Sequence, residues 1–424
     1  MKKFTPIFLL FLVLISYSNT IMCQTKWKLK ETGTTNELKA VDFINETTGI
    51  VVGMMGLIMK TTDGGDSWIT IDLGLNNGLN DIQYIDENRV IIGGDQGIVL
   101  YSNDGGDNWD VVQESGQGYN INGVSVDLQS GHGIAGATGN TIIWSEDWGL
   151  SWTYIEGGFM NDYNSACMAG GDFGAVFGKN AIFQPLAGYT LDGGQTWDGQ
   201  PYYPTNNNNG YEATAYDCYF FSSNDGFTVG NTFLGDGFIT TSVDWNDQFW
   251  DALLFPGVFF FGIDFLDNSY GAAVGGDFMS STFIYETFDG GLNWEPAPVE
   301  GNGNTMLDVT LIGTTGYAVG SFGELLKKDI ATNVPHNNIN PVNMYNYPNP
   351  SKDRTEIFFD LKDPQKIEIS LFNMSGKLVK KLYQAHTLAG KHTITLNTSD
   401  LPGGVYQYTL KGENILFSQK LVVE

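Results

Sequence analysis

The groups most available for chemistry in this 424-residue chain are carboxylates, since 48 Asp and Glu stand against 21 Lys and Arg and 4 His. Six of them recur in one pattern of Ser/Thr, any, Asp, any, Gly, any, small polar, Trp. The copies are TTDGGDSW (61–68), SNDGGDNW (102–109), SEDWGLSW (145–152), TLDGGQTW (190–197), TFDGGLNW (287–294) and the degenerate SVDWNDQF (242–249). Their aspartates are Asp63, Asp104, Asp147, Asp192, Asp289 and Asp244. Calcium is the tempting ligand, but a calcium loop needs carboxylates at alternate positions and a distant Glu, which this spacing lacks. The residue types suit a structural turn instead: the Asp accepts backbone N–H bonds, the Gly takes a left-handed conformation, and the Trp packs between sheets.

A second set of acids comes from aligning the apolar strand that opens each repeat, which brings Ala40, Asp81, Gly123, Ser165, Asp217, Gly262 and Asp308 to one equivalent position. Two carboxylates at suitable separation are all that a glycosidase requires, so Asp81, Asp217 and Asp308 are the candidate catalytic residues. The competing reading is a polar lining that holds water or a cation. Sialidase chemistry is disfavoured, because it needs several arginines to clamp a carboxylate and Arg89 is the only arginine between residues 24 and 335. His132 is the sole histidine in that span and reads as a solvated turn residue, so no metal site and no cofactor are expected. Cys167 and Cys218 fall on inner strands of neighbouring repeats but on opposite pleat faces, which favours free buried thiols over a disulfide.

Irregular connections supply candidate binding residues. PYYPTNNNNGY (201–211), NTFLGDG (231–237), FWDALLFPGVFFF (249–261) and GDFMSST (276–282) are expected on the face away from the Asp motifs. There Tyr202, Tyr203, Tyr211, Phe233, Trp250, Phe255 and Phe278 could form an aromatic platform that stacks sugar rings or anchors a protein, the alternative being simple core packing.

The elements that carry these residues follow from the spacing. The motif tryptophan positions, with Trp27 added, are separated by 41, 41, 43, 45, 52 and 45 residues, the period of propeller blades or solenoids. Within the first repeat LKAVDFI (38–44), GIVVG (49–53), LIMKTT (57–62) and SWITID (67–72) alternate with period two, and four antiparallel strands make one blade. GIVVG recurs to GYAVG (316–320), so a seventh unit opens at Met306 and stops after its third strand; WKLKE (27–31) is expected to supply the fourth and close the ring. The fold class is therefore all-β, a seven-bladed propeller over 24–330. Six Asp motifs and the wider signature GIVVGMMGLIMKTTDGGDSW (49–68) resemble the Asp-box, or BNR-like, repeats of photosystem II assembly and stability factor-like propellers, and those of sialidase and xyloglucanase-type propellers.

Both ends read as addresses. Lys2 and Lys3 precede a nine-residue apolar run, Ile7 to Ile15, too short to span a bilayer, so residues 1–23 are expected to be a secretory signal. No later segment is apolar enough for a transmembrane helix. ATNVPHNNINPV (331–342) reads as a linker, and residues 343–424 as a small antiparallel sandwich. MYNYPNP (344–350), IEISLFNMSGKLVKKL (367–382) and GKHTITLNTSDLPGGVYQYTL (390–410) resemble the type A sorting domain of the type IX secretion system. That resemblance implies passage through a Gram-negative periplasm to the outer surface or the medium, with the secretion machinery as partner. Lys377, Lys380, Lys381, Tyr406 and Tyr408 are candidates for meeting it. Residues 24–335 hold 9 Lys and Arg against 40 Asp and Glu, net −31, which repels nucleic acid, whereas residues 336–424 hold 10 against 8. The expected function is a secreted or cell-surface, non-catalytic propeller binding a carbohydrate or protein; the alternative is a glycosidase-like hydrolase using channel carboxylates.

Overall fold

The computed structural model describes residues 25–423 except 114–117, 157–161, 171, 180–184, 207–208, 211, 224, 241–244, 246–248, 280, 302, 331–343, 348, 362–363, 374–376 and 413–415. The expected signal peptide, the linker, Asp244 and Tyr211 lie outside the described residues. No helix among the described residues is long and apolar enough to cross a membrane.

Seven sheets, each built on an antiparallel meander, form the propeller. Blade 1 is Leu38–Phe43, Gly49–Gly53, Ile58–Thr61 and Ile69–Ile71, and this four-strand meander repeats through blade 4. Every second strand, such as Gly49–Gly53 and Val90–Gly94, is buried on both faces because a blade lies on each side of it. One apolar cluster fills each interface; Ile50, Ile82 and Leu100, for example, pack between blades 1 and 2. The inner strands show how the blades meet. Val41 packs back against Tyr317 and Val319 of blade 7, whereas its neighbour Ala40 packs forward against blade 2. Alternate side chains of one strand thus face alternate neighbours, as the two-residue period requires.

Blade 7 consists of Met306–Ile312, Thr315–Gly320 and Leu325–Asp329, completed by Trp27–Lys30 from the other end of the chain. Lys28, Leu29 and Lys30 pair antiparallel with Lys327, Leu326 and Leu325, which puts Trp27 at the register of Trp68. A further short strand, Val299–Glu300, pairs parallel with Trp27–Lys30 on its outer side, so the closing strand has partners on both edges. Closure removes the free edge that would otherwise template aggregation.

Two strand placements differ from the sequence expectation. Phe249–Pro256 is the outer strand of blade 5, not a connection over its face, and Tyr203–Asn206 of the preceding connection pairs parallel with it. The apolar alternation around Trp250 is strong enough for a strand, and adding a strand satisfies backbone groups that a loop over the face would leave to water.

The C-terminal module has two sheets, one of Met344–Tyr347, Arg354–Leu361 and Gly390–Asn397, the other of Leu378–Thr387, Gln365–Asn373, Gly404–Lys411 and Leu416–Val423. Ile357, Phe359, Ile369, Leu371, Leu410 and Leu421 fill the space between them. Tyr406 and Tyr408 belong to that core, 7% and 0% exposed, and so present no surface to a partner. Their hydroxyls bond the Pro402 carbonyl and Asn346 Oδ1, which lets these aromatic side chains be buried.

Candidate functional site

Each described Asp box is a closed hydrogen-bond unit. Thr61 Oγ1 donates to Asp63 Oδ1 at 2.9 Å and accepts from the Gly65 N–H; Asp63 accepts the Ser67 N–H with one oxygen and its hydroxyl with the other. Gly64 and Gly65 have φ of 73° and 81°, conformations that strain any residue with a Cβ. The same bonds recur around Asp104, Asp147, Asp192 and Asp289. These bonds to the charged form hold Asp63 and Asp104 down at about 2, led by the Ser67 hydroxyl and the Asn108 amide respectively.

The inner-strand acids have a different setting. Asp81 accepts the N–H of Ile82 in its own strand at 2.8 Å and that of Val124 in blade 3 at 2.7 Å. Asp217 does the same with Cys218 and with Ile263 of blade 6, and Asp308 with Val309 and with Val41 of blade 1. Both oxygens of each candidate acid are therefore tied to backbone, and each acid joins two blades. Blades 1 and 6, which have Ala40 and Gly262 at that position, carry the acid two residues further on. Asp42 bonds the Tyr84 N–H of blade 2, and Asp264 the Leu311 N–H of blade 7. Gln83 and Ser125 occupy that same second position in blades 2 and 3 and take the N–H groups of Val126 and Met168. Where the first position is Gly123, the blades approach so closely that a Cβ there would lie 2.5 Å from the Ala166 nitrogen.

The remaining boundary, between blades 4 and 5, is closed by a Cys167–Cys218 disulfide with Cα atoms 6.3 Å apart, contrary to the expectation of free thiols. Opposite pleat faces are what a bond between stacked blades needs: Cys167 faces forward and Cys218 faces back. Desolvation, partly offset by the backbone bonds, pushes Asp81 up to about 6, Asp42 to about 7 and Asp217 to about 8; Asp264 and Asp308 also lie well above the usual value.

Asp42, Asp264 and a buried group at the ring closure were missed from sequence. Glu286 receives Lys328 Nζ on both oxygens, at 2.5 and 2.6 Å, together with the indole N–H of Trp27 at 3.0 Å and the Tyr270 hydroxyl at 2.7 Å. Lys328 stands at the register of the box residue Thr61, in the one blade whose outer strand comes from elsewhere in the chain. His132 is not simply solvated, since its Nδ1 lies 2.7 Å from Asp172 of the next blade.

The aromatic platform is dispersed. Tyr202 and Trp250 are 0% and 1% exposed, packed with Phe177 in the interface between blades 4 and 5, and Phe255 is half-buried against Phe260 and Tyr285. Tyr203 is held in the added strand. Pairing of Tyr203–Asn206 at the edge of blade 5 is what turns Tyr202 inward. Among the described members of the set, Phe233 and Phe278 alone stand out in solvent, at 71% and 83% exposure. A cavity of about 190 Å³ opens beside Phe233, lined by Lys179, Thr214, Tyr216 and Asn231.

Comparison with known proteins adds family and fold. Residues 346–424 match the secretion system C-terminal sorting domain, and residues 19–117 match the photosynthesis system II assembly factor YCF48. The chain is an Asp-box propeller with a secretion sorting tail. The sorting tail indicates export by the type IX secretion system to the cell surface or the medium. Among solved structures the propeller is similar to YCF48 bound to a D1 peptide, at 19% identity and TM-score 0.55 over 71% of this chain and 96% of that one. It is also similar to YCF48 from Cyanidioschyzon merolae, at 17% identity and TM-score 0.54 over 72% and 98%. PorZ, a surface component of the type IX secretion system of Porphyromonas gingivalis, matches at 12% identity and TM-score 0.51 over 93% of this chain and 60% of that one. At these identities the likeness is one of fold. A search of curated proteins gives no match.

Proposed function

We propose that the exported propeller acts without catalysis, by binding a carbohydrate or protein ligand at the cell surface. The observation that carries this reading is the bonding of Asp81, Asp217 and Asp308. A glycosidase needs one carboxyl group free to protonate a leaving group and another free to attack or activate water. Here each oxygen already accepts a backbone N–H, and withdrawing any of these acids for chemistry would loosen two blades at once. The bound peptide in the YCF48 structure supports a binding role for this fold by analogy.

The test is a glycan array and a peptide array probed with the mature propeller, with release of reducing sugar measured in parallel. Binding without sugar release is expected. Sugar release that is abolished in both Asp81→Asn and Asp217→Asn, with folding intact, would replace this reading with the hydrolase.

A further inference from the structure

The face away from the Asp boxes carries apolar side chains on the hairpins between the second and third strands of four consecutive blades. They are Phe233 and Leu234 in blade 5, Phe278 and Met279 in blade 6, Phe322 in blade 7, and Met54 and Met55 in blade 1, all between 40% and 89% exposed. The corresponding tips of blades 2 and 3 are polar, with Asp95, Gln96 and Asn140. Scattered exposed apolar residues need no explanation, but a run of them on adjacent elements marks an interaction surface. The tips of blades 5 and 6 are neighbours: a Cβ on Gly235 would stand 3.5 Å from the Phe278 ring, which itself packs edge-on against Phe259 with ring centres 4.4 Å apart.

Two of these residues, Met55 and Phe322, hold the middle of the hairpin turn at φ of 60° and 59°, a left-handed conformation that favours glycine or asparagine. Blade 2 places the polar Gln96 at φ 61° in the same slot, so the turn geometry does not require an apolar side chain there, yet blades 1 and 7 carry one and expose 70% of it.

The charges beside this arc indicate what it meets. Glu212, whose carbonyl accepts the Phe233 N–H, lies with Asp236 and Asp277 on the connections of blades 5 and 6, and Glu37 precedes blade 1. The cations on the same side are Lys179 and Lys39, the latter 3.9 Å from Glu37. Phe233, Phe278 and Phe322 have rings that could stack on a sugar, but the other four tips, Leu234, Met279, Met54 and Met55, offer no flat face, and a neutral sugar gives the flanking carboxylates no charge to meet.

Resting on the binding reading above, we propose that this arc docks a protein segment in which apolar side chains alternate with basic ones. The apolar chains would cover the Phe and Met tips, and the basic ones would meet the flanking carboxylates of a body whose net charge is −31, from 9 cationic and 40 anionic residues.

The test uses fluorescence anisotropy of three labelled dodecapeptides, alternating Leu–Lys, Ser–Lys and Leu–Glu, with the full mature chain at about 150 mM salt, where long-range attraction is screened. A triple variant, Met55→Gly, Phe278→Ser and Phe322→Gly, removes apolar surface while leaving charge unchanged and suiting the left-handed positions; near-UV circular dichroism checks that it folds. Leu–Lys should bind the parent at least about tenfold more tightly than either control, and the variant should lose about tenfold or more of that affinity. Equal binding of Ser–Lys and Leu–Lys, or an unaffected variant, overturns the proposal. No peptide binding alongside a glycan hit overturns the proposal but leaves the binding reading standing, and neither kind of binding removes both.

Discussion

The propeller uses two populations of aspartate for opposite purposes. Box aspartates lie near the surface, satisfy a turn within a single blade, and are pulled down to about 2 at Asp63 and Asp104 by hydrogen bonds to the charged form. Axial aspartates reach across to the next blade, and burial drives them up, to about 8 at Asp217. The same side chain is thus a local device on the rim and a long-range one at the axis. Where neither is present the chain uses another group: the Ser125 hydroxyl between blades 3 and 4, the Cys167–Cys218 disulfide between blades 4 and 5, and the Glu286–Lys328 pair where blade 7 has no box.

If the closure group replaces a box, its loss should have the largest effect. Lys328→Ala leaves Glu286 buried without its cation and is expected to cost about 3–5 kcal/mol in denaturant unfolding, the usual cost of breaking one side of a buried pair. A cost no larger than that of a surface ion pair would mean that closure rests on strand pairing alone. Next, Cys167→Ser with Cys218→Ser should cost about 2–4 kcal/mol, and a reductant should lower the parent to the level of the double variant. Asp81→Ala, which strands the amides of Ile82 and Val124, is expected to cost about 1–3 kcal/mol.

Titration separates the two populations by sign. A carboxyl whose folded pKa is raised stabilises the fold most below its unfolded value, near 3.8, and that contribution is lost as the pH rises through the folded value, about 6 to 8 for Asp81, Asp42 and Asp217. The box acids contribute above 3.8 and lose that contribution as the pH falls through about 2. The thermal midpoint should therefore fall between pH 5 and pH 9, and Asp217→Asn should flatten the upper part of that fall. A midpoint level across the range would show that the axial acids are not held neutral. The smallest effect is expected for Asp104→Ala, a drop in midpoint below that of Asp81→Ala, because its turn is open to water that can replace the lost bonds. A larger drop than at Asp81 would reverse the comparison.

Much of this was legible in the residue order. The box spacing and the period-two strands carry the blade architecture, because turn chemistry and pleat alternation are local properties. The closing role of Trp27–Lys30 could be read as well, since blade 7 lacked a fourth strand and the first segment had only that one. The SG and PGG turn signals and the alternating apolar pattern of residues 343–424 likewise marked a separate module, although the SG pair lies outside the described residues. What the order of residues left open was which side chains meet across blades. Asp42 and Asp264 share a face with Ala40 and Gly262, and only the stacking of one inner strand on the next makes either position of that face serve the same joint. Cys167 and Cys218 appeared mismatched as members of one sheet and match as members of facing sheets. Tyr202 and Trp250 resembled a platform until strand pairing at the edge of blade 5 turned them inward. Residues far apart in the chain met at distances set by blade packing, and that packing belongs to the tertiary structure alone.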